Sequence, residues 1–292
     1  MKRQNFMMLA AAALLASCSQ DDALQNTVHN NEGLKPMTIT AKVPTEGMQT
    51  RAEGDETATR CYMQILYDDG TELAGGNSKP IPMDPVGNSF STTVYLNGSK
   101  IYDFLFWADT EATDAAAPED LRAVEYTNGK TIAWAGNDLD KMWDADGVSV
   151  TLSHVVSRVT VITTSDFAGS ETWPFIVTVP TVYSKYNVET GKVVEDSEVP
   201  GGYILNVTDG EYDVNAEVGH FYVLGSDEIK QELTLQYKGP KGNPEIEFSN
   251  VPLLANYHIT LTGDICNAGL VNGTITATTT TGWTTPGDIV FR

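Results

Sequence analysis

Few residues in this chain have the types and spacings that chemistry asks for. Histidine occurs four times, at His29, His154, His220 and His258. Metal-binding histidines recur at short spacings such as HxH or HExxH, and these four do not. His29 lies in a polar stretch; the other three adjoin or occupy strand-like runs and read as structural or surface groups. The segment NDLDKMWDADG sets Asp138, Asp140, Asp144 and Asp146 around Trp143. Oxygen-rich loops bind calcium, but the EF-hand spacing fails because Met142 stands where an Asp or Asn is required. A solvated acidic loop is the plainer reading. Trp143 and Trp134 either offer faces on which sugar rings stack or belong to a core. No GxSxG, P-loop or GxGxxG occurs, and nothing nominates a serine or cysteine nucleophile. Paired carboxylates about 5–10 Å apart cannot be picked out in so acidic a chain. The expectation is a protein that is not an enzyme and uses no cofactor or metal.

Cysteine is the exception. Met1 to Arg3 carry two positive charges, and Phe6 to Ala16 form an apolar run of 11 residues. That run is too short to span a bilayer, which takes about 20 residues, but it suits the apolar stretch of a secretory signal, and the small Ala16 and Ser17 suit a signal peptidase. Cys18 follows at once. Leu15-Ala16-Ser17-Cys18 closely resembles the lipobox of bacterial lipoproteins; the alternative is an ordinary signal peptide with a chance cysteine. The resemblance implies a diacylglycerol on the Cys18 thiol and an acylated amine after cleavage of residues 1–17. Several acyl chains, each burying methylenes worth about 0.8 kcal/mol, anchor a protein stably. Asp21-Asp22 resembles the signal that sends some Bacteroidetes lipoproteins to the outer face of the outer membrane. Cys61 and Cys266 lie 205 positions apart. A disulfide between them is conceivable in an oxidising compartment; a buried, inert Cys61 thiol is the better expectation.

The formal net charge is −21, from 18 Lys and Arg against 39 Asp and Glu. Loss of residues 1–17, which hold Lys2 and Arg3 and no acid, takes it to −23. Such a chain is repelled by nucleic acid and by anionic membrane surfaces, so no nucleic-acid partner is expected. The lipid is the one expected link to the membrane.

These groups must be positioned by strands. After a polar, Asn-rich tether at residues 18–36, a short strand is expected at Met37–Val43, with Met37, Ile39 and Ala41 on one face. A Gly/Thr/Glu-rich link, PTEGMQTRAEGDETATR, follows. Beyond it, period-2 patterns dominate. Cys61, Met63, Ile65 and Tyr67 share a face, as do Val148, Val150 and Leu152. The same holds for Leu233, Leu235 and Tyr237, and for Tyr257, Ile259 and Leu261. IYDFLFW is apolar on both faces except Asp103 and reads as a central strand. STTVYL, VVSRVTVIT, PFIVTV, YILNV, HFYVL, IEF, TITATT and DIVF are further strand candidates. Asn-Gly or Asp-Gly pairs at Asp69, Asn97, Asn128, Asp146, Asp209 and Asn272 suit type I′ turns. A single short helix is expected from Pro118-Glu119-Asp120-Leu121. The fold class is all-β: two tandem antiparallel β-sandwiches, at residues 37–168 and 169–292, divided at the polar DFAGSE segment.

VPLLANYHITLTGDICNAGLVNGTITATTTTGW resembles the closing motif of the fimbrillin family, the pilin-like lipoproteins of Bacteroidetes. Val251, Pro252, Leu253, Asn256, Tyr257, Gly263, Asp264 and Trp283 carry the match. VTLSHVVSRVTVIT is similar to the family's strand pair, with His154 where a basic residue is common and Ser157-Arg158 in place of Ala-Lys. The resemblance implies transthyretin-like sandwiches and a structural or adhesive subunit of a surface fimbria, lipid-anchored in the outer membrane. It implies an arginine-specific protease cutting at Arg51-Ala52, release of the first strand, and its replacement by a strand from another fimbrial subunit. The C-terminal TITATTTTGWTTPGDIVFR, short of charge and rich in β-branched residues, is the expected donor. Arg60 is a competing cut site that abuts a strand. The alternatives are a simple exposed linker at Arg51 and a non-polymerising surface lipoprotein that binds glycan or host ligand.

Overall fold

The computed structural model describes residues 34–44, 57–73, 78–226, 230–238, 245–264 and 274–277. Cys18, Arg51, Ala52, Cys266 and Trp283 lie outside them, as does most of the expected donor segment. Among the described residues there are strands and one 3-10 turn at Glu195–Ser197. The fold is therefore all-β.

The first half of the chain builds two sheets on one core. β1 (Leu34–Lys42), β4 (Asp84–Val86), β5 (Ser89–Asn97) and β9 (Val148–Thr151) run in the order β4-β5-β1-β9. β2 (Arg60–Tyr67), β3 (Ile81–Pro82), β6 (Ile101–Asp109), β8 (Ala133–Met142) and β10 (Ser153–His154) run in the order β10-β8-β6-β2-β3. β6 is interior, as its two-sided apolar pattern requires. Of its two acids, Asp103 sits at a register shift and accepts the Asp140 N–H at 2.8 Å, and Asp109 at its end accepts from Arg60, so neither buried carboxylate is left unpaired.

The second half repeats this wiring. β11 (Val156–Thr163), β18 (Glu217–Leu224), β21 (His258–Gly263) and β22 (Thr274–Ala277) form a sheet ordered β18-β11-β21-β22. β13 (Phe175–Tyr183), β16 (Glu198–Leu205), β19 (Lys230–Tyr237) and β20 (Glu245–Pro252) form the other, ordered β16-β13-β19-β20. In each half the first strand lies between an antiparallel neighbour and a parallel one: β1 between β5 and β9, β11 between β18 and β21. The sandwiches are thus not purely antiparallel.

Several local expectations change. β12 (Phe167–Gly169) pairs with β17 (Gly210–Tyr212), and Phe167 stacks on Tyr212 at 4.7 Å in the second core. The chain passes between the two sets of sheets at residues 154–156, whereas a division after residue 168 falls behind β11 and inside β12. The expected helix at Pro118–Leu121 is a turn. Asp120 Oδ1 accepts the Arg122 N–H at 2.9 Å, and such local capture competes with a helix. None of the described Asn-Gly and Asp-Gly pairs has a positive φ at its first residue, so none is type I′. At Asp69 the carboxylate instead accepts the Thr71 N–H, and only Gly70 turns left-handed. The acidic stretch is half strand: Asp138 and Asp140 lie on β8, where Asp138 faces Phe104 of β6.

The two halves are stapled. β7 (Val124–Glu125) pairs with β14 (Lys185–Asn187), which pairs in turn with β15 (Lys192–Val193). Asn128 donates to the Tyr183 carbonyl at 2.7 Å and accepts the Leu224 N–H at 2.8 Å. Gly129 and Tyr222 exchange backbone bonds beside it.

Candidate functional site

β1 is the element on which the expected chemistry would act. Met37, Ile39 and Ala41 are at most 2% exposed, and they fill the face that their alternation assigns to the core. Full burial contributes about 1.5–3 kcal/mol for each of Met37 and Ile39. β5 holds the whole length of β1, from Leu34↔Asn97 to Lys42↔Ser89. β9 holds only its second half, from Ile39↔Val148 to Lys42↔Thr151. Within the described sheet β9 has no neighbour but β1. Removing β1 would therefore split the sheet, orphan β9 and open a trough lined by the same core as Phe90, Val94 and Leu96.

The first half of β1, unpaired by β9, is met by the loop after β8. The Trp143 Nε1–H donates to the Pro36 carbonyl at 3.0 Å, and the Lys35 ammonium lies 4.4 Å from the Trp143 ring centre. Gly147, at φ +80, passes so close that a Cβ there would stand 2.1 Å from the Thr38 carbonyl oxygen. Only glycine satisfies both conditions. Trp143 is thus a clamp on β1 with a ring face taken by Lys35, and Trp134 is buried at 2% exposure; neither presents a bare platform to a sugar. No spacing rule signals the contact between residues 35–36 and 143.

The remaining candidates are dispersed. Asp138 pairs with Lys141 at 3.1 Å, and Asp144 accepts the Asp146 N–H at 3.0 Å. His258 bonds Thr160 at 2.8 Å and His220 bonds Glu217 at 2.7 Å on one sheet, whereas His154 packs on Trp134. No group of three or more His, Cys, Asp or Glu converges among the described residues. Cys61 is buried beside Met83, and burial, with Asp109 adding, pushes its thiol pKa up. Arg60, the competing cut site, is bound on its guanidinium by Asp109 and by the carbonyls of Ala115 and Ala116.

The cleft of about 640 Å³ above this ion pair is lined by Arg60, Asp109, Glu111, Glu125 and Lys185 among others. Arg60 and Asp109 in its wall are committed to each other, and nothing in it assigns a ligand.

A protein described as a cell adhesion protein from Bacteroides uniformis shares the fold with a TM-score of 0.50 at 14% identity, over 87% of this chain and 100% of that one. A counterpart from Bacteroides ovatus gives 0.50 at 13% identity, over 87% and 99%. The tip fimbrial protein Mfa3 from Porphyromonas gingivalis gives 0.48 at 11% identity, over 83% and 99%. No curated protein matches the chain in sequence. Residues 30–278 match a family of unknown function, DUF6562, and the chain belongs to that family.

Proposed function

We propose that the protein is a structural or adhesive subunit of a cell-surface fimbria, exported as a lipoprotein precursor held in the outer membrane through Cys18. An arginine-specific protease cuts Arg51-Ala52, β1 leaves, and a strand from a neighbouring subunit takes its seat. The observation that carries this reading is the position of β1. It is interior to its sheet, buried on one face, and joined to β2 only through the segment that contains Arg51. The fold shared with Bacteroides cell adhesion proteins supports a surface role. The test exposes the full-length wild type and Arg51→Ala to an arginine-specific protease and follows size by chromatography and electron microscopy. The expected result is a cut after Arg51, loss of the fragment bearing β1 and a ladder of oligomers, with none of these in Arg51→Ala. A cut that leaves a stable monomer would favour a non-polymerising lipoprotein that binds glycan or host ligand.

A further inference from the structure

We infer that Trp143 is the specificity-determining residue of the β1 seat, and that it selects a strand carrying a cationic side chain at the position of Lys35. The inference rests on the proposal that β1 is replaceable, and it adds the chemistry of the replacement.

The geometry has three parts. First, β9 supports only Ile39–Lys42, so the leading end of any strand in the seat lacks a backbone partner on that side. Trp143 supplies the missing donor through its indole N–H, which reaches the Pro36 carbonyl. Proline carries no N–H of its own, so the clamp is satisfied by a carbonyl alone. Second, the ring is not spare surface: it packs against the first core, and Lys35 lies across it. Lys35 has the parity of the buried Met37, Ile39 and Ala41, so its side chain is carried to the core side at the open end of the sandwich. A cation over an indole face is attracted by the ring quadrupole. Third, the segment that presents Trp143 reads Asp138-Leu139-Asp140-Lys141-Met142-Trp143-Asp144-Ala145-Asp146, with four acids and one lysine, and that lysine is paired with Asp138. A strand bringing a carboxylate to the Lys35 position would meet the electron-rich ring beside like charge. One bringing an aliphatic residue would forfeit the attraction. The partner that fits is an extended segment, alternating apolar toward the core, with Lys or Arg two positions before its first buried residue. The C-terminal TITATTTTGWTTPGDIVFR, whose one cation is its last residue, Arg292, does not meet that requirement and is set aside as the donor for this seat.

The experiment has two arms. In the intact protein, hydrogen exchange of the β1 amides is compared for wild type, Lys35→Arg, Lys35→Ala, Lys35→Glu and Trp143→Phe. Arginine should preserve protection. Alanine should speed exchange about two- to fivefold, glutamate more, and phenylalanine about fivefold by removing the N–H donor while keeping an aromatic plug. Equal protection in the lysine and glutamate variants would overturn the inference. In the second arm, protein cut within residues 45–56 is offered labelled peptides of residues 34–44 carrying Lys, Arg, Ala or Glu at position 35. Preferential uptake of the Lys and Arg peptides supports the inference, and indifference to position 35 sinks it. If no peptide enters while exchange still follows the order above, strand replacement fails and the grip of Trp143 on β1 stands.

Discussion

Arg60 holds Asp109 with two nitrogens, Nε to Oδ1 at 2.6 Å and Nη2 to Oδ2 at 3.2 Å, and both side chains are nearly out of solvent, at 11% and 5% exposed. Asp109 also accepts the Trp107 indole N–H at 2.7 Å, so the pair sits in a closed network. A protease must draw an arginine side chain into its own pocket, and this one is committed. Arginine-specific protease acting on the folded protein should yield no fragment beginning at Cys61. Appearance of that N-terminus before unfolding would contradict the geometry. Arg60→Ala strands a buried carboxylate and should cost about 3–5 kcal/mol in chemical denaturation.

Gly147 and Gly191 separate two costs that usually travel together. Both are left-handed, at φ +80 and +68, but a Cβ at Gly191 meets nothing within 4 Å, whereas one at Gly147 strikes the Thr38 carbonyl. Gly191→Ala should lose only the backbone term, on the order of 1 kcal/mol. Gly147→Ala should lose distinctly more and should also speed hydrogen exchange along β1. Equal losses would mean that the loop yields and that Gly147 does not help seat the strand.

Cys61 is expected to be silent in the folded state. Its thiol is 1% exposed, faces the Met83 sulfur at 3.7 Å and has its pKa raised by burial, so the nucleophilic thiolate is scarce. A thiol reagent such as iodoacetamide should label it at the rate of global unfolding. Labelling at the rate of an exposed thiol would show that β2 opens locally.

Acid should weaken the sheet built on β11. Glu217 has its pKa lowered, first by its hydrogen bond to His220, then by the charges of His220, Arg158 and His258 acting against partial burial. A carboxylate depressed in the folded state contributes stability above its unfolded pKa, and that contribution fades as pH falls through the lower folded value. Between these two values the wild type should lose stability that Glu217→Gln does not lose. Parallel stability–pH curves for the two proteins would remove the pair from the account.

Much of this was legible in residues. Two-sided apolarity placed IYDFLFW inside a sheet, and the alternation of Met37, Ile39 and Ala41 named the buried face of β1 correctly. What escaped was set by distant parts of the chain. The parallel pairing of β1 with β9 leaves no local signature, because period-2 patterning is the same for either strand direction. The Asp-Gly and Asn-Gly pairs misled because the Asp69 and Asn97 side chains bond the backbone two residues on, which fixes a different turn. The acids of β8 looked like a loop because charge dominates their composition, yet Asp103 reaches across to the Asp140 N–H and draws them into a strand. Whether Trp143 was a sugar-stacking face or a core residue stayed open in the sequence because its partners lie more than a hundred residues earlier.

The last prediction concerns Asn128, whose amide spans the junction between the two sets of sheets. Its Nδ2 donates to Tyr183 and its Oδ1 accepts from Leu224, while Gly129 and Tyr222 bond each other's backbone alongside. Tyr186, Val188, Tyr222 and Leu224 of the second half are buried in the same cluster as Leu121, Val124 and Tyr126. An interface that is both hydrogen-bonded and apolar should couple the halves, so peptides from each should exchange hydrogen with one midpoint as urea rises. Asn128→Ala leaves the Leu224 N–H and the Tyr183 carbonyl without their partner, at about 1–3 kcal/mol for each buried group. Asn128→Asp keeps the acceptor for Leu224 but sets a negative oxygen against the Tyr183 carbonyl, and should be at least as damaging. In both variants the midpoint should fall, and the peptides of residues 34–154 should part from those of 156–264. A lowered midpoint with the two sets still coincident would show that the apolar contact alone couples them. An unchanged midpoint would show that Asn128 contributes nothing to the junction.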